Sequence, residues 1–266
     1  MTGDAPQPWT DRAYLSAHQY RTPANLSARQ SIYAFQRPHL DLPRTVLDLA
    51  VRTGEEVVVD VGCGNGRALA ELGRRGHRGP VVGIDPSVGM LEAARQAAPL
   101  ARTAVADACC LPVRTGGAGL VLAMHMLYHV GEPERAVAEF RRVLAARGRL
   151  VVVLNADDHL GELRHALRQA RDEVGIGTEA PSERLRLGEG EALLRAAFRS
   201  VVRYDFVCEL VIGRPEPLEA YVASLTGTAL PPGQRDEYVA SVLRHLPRDR
   251  AGLVRIKAHP GCLVCS

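Results

Sequence analysis

The sequence predicts an α/β protein built on an open, mostly parallel sheet with helices on its faces. Three observations carry that prediction. Apolar, β-branched runs of strand length alternate with amphipathic stretches of helical length, the pattern of βαβ units. Three such runs in succession end in an acid, at Asp60, Asp85 and Asp107. The first, Val57 to Val61, passes directly into Gly62-Cys63-Gly64-Asn65-Gly66-Arg67, where glycines let backbone come close to a ligand. In an open α/β sheet ligands bind beyond the carboxyl ends of the strands, so the three acids should converge on one site.

Composition narrows the function classes. The 266 residues suffice for one large domain with accessory helices and fall short of two domains of ordinary size. Net charge is +3, from 33 basic and 30 acidic residues, and Lys257 is the only lysine. The arginines lie beside acids along helical stretches, a solvated face rather than a nucleic-acid footprint. No run reaches the length of a membrane span, and Met1 to Pro6 lacks a basic, apolar signal pattern. A cytoplasmic protein without membrane or nucleic-acid partners is therefore expected. Six cysteines follow no disulfide framework. Cys262-x-x-Cys265 is half a zinc pattern without its other half, and residues three apart on a strand face opposite sides, so no metal is expected.

Taken in order, residues 1 to 10 should be a loose arm, followed by helical patterns from Asp11 to Phe35 broken at Thr22-Pro23. That stretch concentrates Tyr14, Tyr20, Tyr33 and Phe35 in an aromatic-poor chain, which makes it a candidate cap over the site. A helix over Leu42 to Val51 precedes the strand ending at Asp60, and a helix over 67 to 75 follows the glycines. Pro80 to Asp85 forms the second strand. Asp85 lies 19 positions beyond Gly66, a distance at which an acid can take both ribose hydroxyls of an adenosine, leaving Ser87 to cap the next helix. Thr103 to Ala106 is a third strand before Asp107. A fourth, Ala118 to Ala123, runs into Met124-His125-Met126-Leu127-Tyr128-His129. A helix from Pro133 to Ala146 should stop at Gly148, with strand five from Arg149 to Asn155. Helices follow over Asp158 to Val174 and Glu189 to Ala197. Val201 to Ile212 reads as one long strand six and Gly252 to Cys265 as strand seven. Between them lie about forty residues with helical patterns near Pro217 to Leu225 and Gln234 to Leu246, far more than a hairpin needs.

The turn itself discriminates between cofactors. A dinucleotide site wants G-x-G-x-x-G, whereas here the third glycine falls one place early, at Gly66, and Arg67 fills the slot. A carboxylate at Asp60 would repel a diphosphate and suits a cationic ligand.

These residues resemble motif I of the class I S-adenosylmethionine-dependent methyltransferases, a hydrophobic strand followed by D/E-x-G-x-G-x-G. Residues 55 to 156 carry further matches in order: Asp85, Asp107, and the block with Arg142-Val143-Leu144 and Gly148, which resembles the ubiquinone-biosynthesis-like methyltransferases. The run Tyr20 to Arg29 is similar to the N-terminal segment of bacterial small-molecule methyltransferases.

The resemblance implies a Rossmann-like seven-stranded sheet of order 3-2-1-4-5-7-6 with strand seven antiparallel. It divides the chain into cap helices over 1–40 and a methyltransferase domain over 41–266, with a helical insertion near 213–252. The cofactor implied is S-adenosyl-L-methionine, held by Asp60, Gly62, Cys63, Gly64, Asn65, Gly66, Asp85, Pro86, Met90, Asp107, Ala108, Met124 and His125. Tyr14, Tyr20 and Tyr128 are the candidates to touch a small-molecule methyl acceptor in specialised metabolism. His129 is the candidate general base, since a neutral imidazole takes a proton readily near neutral pH. Nucleic acid is disfavoured as acceptor because Ala123-Met124-His125-Met126 stands where base methyltransferases carry an Asn/Asp/Ser-Pro-Pro-aromatic tetrad. Two other readings compete: an inert binding scaffold, which the intact cofactor motif opposes, and an NAD-linked oxidoreductase, which Arg67 and the missing Tyr-x-x-x-Lys pair oppose.

Overall fold

The computed structural model describes residues 10–176, 185–226 and 230–266. The expected loose arm, residues 1 to 10, lies almost wholly outside them. Asp11 accepts from the amides of Ala13 and Tyr14 to start α1 (Arg12–Tyr14), which continues as a π-helical turn, Leu15–Gln19. After the break at Thr22-Pro23 comes α2 (Ala24–Ser31) and a short strand, β1 (Gln36–Arg37). Asp41 caps α3 (Leu42–Ala50) through the amide of Arg44.

The main sheet then builds as expected from the apolar runs: β2 (Val58–Val61), α4 (Arg67–Arg74), β3 (Val81–Ile84), α5 (Val88–Ala97), β4 (Arg102–Ala104), β5 (Ala118–Met124), α6 (Pro133–Val143), β6 (Leu144–Asn155), α7 (Gly161–Val174), α8 (Leu187–Ala197) and β7 (Val201–Asp205). β8 (Cys208–Ile212), α9 (Glu216–Thr226), α10 (Pro232–His245), β9 (Val254–Ala258) and β10 (Pro260–Cys265) complete the chain. Seven strands pair in the order β4-β3-β2-β5-β6-β10-β7, with β10 antiparallel to both neighbours. Counted within the sheet alone, that is 3-2-1-4-5-7-6. The order reverses between β2 and β5, the point where a ligand crevice opens in such sheets.

Both faces of this sheet are covered. Val59, Val121, Val152 and Phe140 of α6 share one apolar cluster, while Val58, Leu122, Val151 and Leu47 of α3 share the other. Cys262 packs in the second cluster and Cys265 in the first, on opposite faces of β10.

Three expectations need correction. The single strands over 201–212 and 252–265 are each two strands. β8 and β9 leave the main sheet and pair with β1 in a second sheet of order β1-β8-β9, whose alternating buried residues pack with α7, α9 and α10. The bend falls at His259-Pro260, where proline lacks an amide donor and the His259 ring spans Asp158 and Asp205 at 2.7 and 2.9 Å. Gly148 is not a helix stop. α6 ends at Val143 and the chain is already extended at Leu144, because Leu144 pairs with Ala118 ahead of a register shift. Gly148 sits inside β6, where a Cβ would lie 3.0 Å from the Ala118 carbonyl oxygen.

Candidate active site

Beyond the carboxyl ends of β2, β3 and β5 lies a cavity of about 710 Å³, within the size range of small-molecule sites. Its floor is the turn after β2. Gly62 and Cys63 donate to the Ile84 carbonyl at 2.7 and 3.0 Å, tying the turn to β3. Gly66, at φ +80°, is the left-handed N-cap of α4, and a Cβ there would sit 2.8 Å from Cα of Ala94 in α5. A side chain is excluded by backbone strain and by collision at once. Gly66 is thus a packing residue and, unlike the other predicted cofactor contacts, does not line the cavity.

The three strand-end acids converge as the sequence predicts, in three different states. Asp60 is 2 % exposed, and no hydrogen bond reaches its carboxyl group among the described residues. Burial, with Asp85 as the second cause, pushes its pKa up to about 8. Asp85 accepts from the amides of Gly64 (3.0 Å) and Ser87 (2.9 Å), and burial outweighs these bonds in raising its pKa. Ser87, not Asp85, caps α5, through the amide of Met90. Asp107 is more open and takes Arg12 of α1 at 3.1 Å.

The fit to S-adenosylmethionine rests on these observations. A buried acid without a partner calls for a cation, and the glycine floor admits backbone-close contact without room for a diphosphate's charge beside Asp60. Pro86, Met90, Ala108, Met124 and His125 also border this end of the cavity. His125 has φ +54°, a left-handed conformation that costs a non-glycine residue about 1 to 3 kcal/mol. Burial, then Arg67, brings its pKa down to about 4, so its ring is neutral near pH 7.

The far end is aromatic. Tyr20 and Tyr128 line it as predicted, and Tyr20 Oη lies 2.8 Å from Nε2 of His129. The Tyr128 ring meets His129 edge-on at 4.6 Å. The Arg29 guanidinium stands 5.2 Å over the Tyr20 ring. Tyr33, His159 and Tyr221 complete the chamber, and burial raises the pKa of all four tyrosines.

Tyr14 departs from expectation. The π-helical turn directs Leu15 and Gln19 inward, and Tyr14 instead packs 5.0 Å from His18, outside the cavity lining. Arg29, Tyr33, His159 and Tyr221 carried no role in the sequence reading. Tyr33 had a signal in its place in the N-terminal aromatic group, and Arg29 in closing the Tyr20 to Arg29 run.

The N-terminal segment is fastened to the cofactor end. Ser87 Oγ donates to the Tyr20 carbonyl at 2.6 Å, and Asn65 Nδ2 donates to Gln30 Oε1 at 3.0 Å.

Comparison with known proteins agrees with this geometry. Residues 59–152 match the methyltransferase domain family. The chain is 35 % identical over 169 residues to a malonyl-[acyl-carrier protein] O-methyltransferase of Geobacter sulfurreducens, covering 60 % of this chain and 62 % of that protein. A protein of the same name from Methylovorus sp. is 32 % identical over 165 residues, covering 59 % of this chain and 54 % of its own length. The chain thus spans little more than half the length of these relatives. Among solved structures, the YcgJ protein of Bacillus subtilis superposes with a TM-score of 0.58 at 19 % identity, covering 84 % of this chain and 96 % of that one, a likeness of fold. Residues 59–152 thus match a methyltransferase domain, on a sheet whose order and acids are similar to those of the class I S-adenosylmethionine-dependent methyltransferases.

Proposed function

We infer that this protein transfers the methyl group of S-adenosylmethionine to a nucleophilic oxygen, nitrogen or carbon of a small molecule. The observation that carries this reading is one cavity with two unlike ends: a partnerless buried acid above a glycine turn, and an aromatic chamber closed by His129. When bound, S-adenosylmethionine supplies a methyl already made electrophilic by the sulfonium, whose bonding pair returns to sulfur on transfer. The protein's share is alignment, charge and the removal of a proton. Asp60 meets the cofactor's positive charge, Asp85 takes the ribose hydroxyls, and Asp107 takes the adenine amino group once Arg12 yields it. Tyr20 and Tyr128 hold the acceptor. His129 removes the proton of an acceptor O–H or N–H as its lone pair bonds to the methyl carbon, and Tyr20 Oη orients the imidazole.

Residues 10 to 40 act as a cap, which the ties from Ser87 to Tyr20 and from Asn65 to Gln30 support. Acceptor choice falls to this cap and to the insertion that contributes Tyr221.

A screen of acceptors with S-adenosylmethionine, read as a mass gain of one methyl, tests the reading. Carrier-bound acids belong in the screen because of the names of the two relatives. Protein that binds S-adenosylhomocysteine yet transfers no methyl to any acceptor would favour the scaffold reading.

A further inference from the structure

The acceptor half of the cavity contains a hydroxyl whose direction is fixed. The His259 amide donates to Nδ1 of His159 at 2.9 Å, so Nδ1 carries no proton. His159 is 4 % exposed, and burial holds its pKa well below the ordinary value, so the ring is neutral with its proton on Nε2. Nε2 lies 3.1 Å from the Tyr33 hydroxyl and donates to it. The Tyr33 oxygen is thereby an acceptor toward His159, and its own proton must go elsewhere. Among the described residues nothing accepts it, and both Tyr33 and His159 line the cavity. The Tyr33 O–H therefore points its donor capacity at whatever fills the chamber.

A second donor has the same need. Arg29 spends Nε on the Asn25 carbonyl at 3.2 Å, and its Nη2 is buried with no partner. The acids that border the cavity are Asp60, Asp85, Asp107 and Glu132; the first three occupy the cofactor end and Glu132 pairs with Arg135 at 2.7 Å. No carboxylate of the described residues neutralises Arg29. Tyr128 and Tyr221 are close enough to both Arg29 and Tyr33 to interact electrostatically with them, which places the two donors in one chamber. A buried donor without a partner costs free energy, and a cation among phenols asks for one negative charge.

Building on the methyl-transfer reading, we propose that the acceptor carries an organic carboxylate apart from the O–H or N–H that is methylated, its oxygen received by the Tyr33 hydroxyl and its charge met by Arg29. His159 is the positioning residue, since its tautomer sets which way the Tyr33 proton points. A second guanidinium, Arg164, also borders the cavity and acts on His159 and Tyr221, but its Nη2 is engaged by the Asp157 carbonyl, so Arg29 is the cation assigned to the carboxylate and phenyl phosphate is the competing ligand in the test. The walls formed by Leu163 and Leu167 of α7 suit an apolar body behind that group.

The test measures, on the full chain saturated with S-adenosylhomocysteine, the affinities of benzoate and hexanoate beside their neutral amides and phenyl phosphate. The wild type should prefer at least one carboxylate over its amide by about tenfold or more. Tyr33→Phe and Arg29→Met should each bring that ratio toward one, and His159→Phe should lower it as well. S-adenosylhomocysteine affinity should stay within about threefold throughout, which also reports that each variant folds. A merely structural defect would weaken carboxylate and amide alike and leave the ratio unchanged. No preference for either carboxylate in the wild type, or a ratio unmoved in both Tyr33→Phe and Arg29→Met, would overturn the proposal. So would tighter binding of phenyl phosphate, or a loss of S-adenosylhomocysteine affinity in Arg29→Met, which would make Arg29 a cofactor ligand. Wild type that fails to bind S-adenosylhomocysteine would instead undo the methyl-transfer reading itself.

Discussion

The two ends of the cavity are built by different means. The cofactor end is assembled where three neighbouring parallel strands of one sheet end, with Asp60 next to last in β2, Asp85 directly after β3 and Asp107 three residues after β4. The acceptor end is assembled across the chain: Tyr20 reaches His129 over 109 residues, and Tyr33 reaches His159 over 126. The first is a property of the fold and repeats wherever the sheet repeats. The second depends on how the N-terminal helices and the insertion settle on that sheet, so it is free to vary with substrate. Ligand affinity and turnover should therefore separate cleanly when each end is altered alone.

The largest expected effect is at the acceptor end. His129→Gln should lower turnover by about a hundred- to ten-thousand-fold while leaving S-adenosylmethionine affinity within about threefold. Single-turnover rates beside calorimetry check this. Turnover above a third of wild type would mean that alignment without a base suffices.

At the cofactor end, Asp85→Ala should weaken S-adenosylmethionine binding by roughly thirty- to a thousand-fold, about 2 to 4 kcal/mol. The substitution removes the proposed ribose contact and also frees the amides of Gly64 and Ser87. Because Ser87 caps α5, thermal stability should fall little. Affinity unchanged within threefold would reduce Asp85 to a brace for the glycine turn.

Asp60 gives a smaller, graded effect with a definite sign. Its folded pKa of about 8 lies above the ordinary 3.8, so at pH 7 the free protein holds it mostly protonated. A cationic ligand favours the carboxylate, so binding should release a proton, and affinity should rise with pH up to about 8 and then level. The raised pKa also means that Asp60 favours the fold most at low pH, a contribution lost as pH rises from about 4 through 8. Asp60→Asn should abolish the proton release, measured by titration in buffers of different ionisation enthalpy. A flat affinity between pH 6 and 8 in the wild type would show that no cation meets Asp60.

How much was legible follows the same division. Sheet order, the glycine turn and the acids at 60, 85 and 107 lie in short windows where apolar run, turn residue and acid succeed one another, so local pattern suffices. The second sheet was not legible. Val201 to Ile212 and Gly252 to Cys265 carry apolar residues through most of their length, and a strand that changes sheets keeps its alternation on both sides of the bend. Pro260 was the one local sign of it. Tyr14 failed for a related reason: the aromatic group gave composition, while the π-helical turn that rotates Tyr14 away is a backbone detail without a sequence signature. His159 lies in the turn before α7 and Tyr221 in α9, stretches of ordinary composition, and only the fold brings them to Tyr33.

The smallest expected change concerns the cap. Amides of residues 11 to 35 should gain hydrogen-exchange protection when S-adenosylhomocysteine is added, since Tyr20 and Gln30 are tied to the residues that would hold it. Protection confined to residues 60 to 67 would assign the N-terminal helices to packing alone.

The central claim is that the cavity is built for a cationic adenosyl cofactor and not for a dinucleotide. Calorimetric titration of the wild-type chain with S-adenosylmethionine and, separately, with NADH tests it most directly. Binding of S-adenosylmethionine with proton release at pH 7, and no heat with NADH, is the predicted result. Binding of NADH with none of S-adenosylmethionine would contradict it, and with it the roles assigned to Asp60, Asp85 and His129.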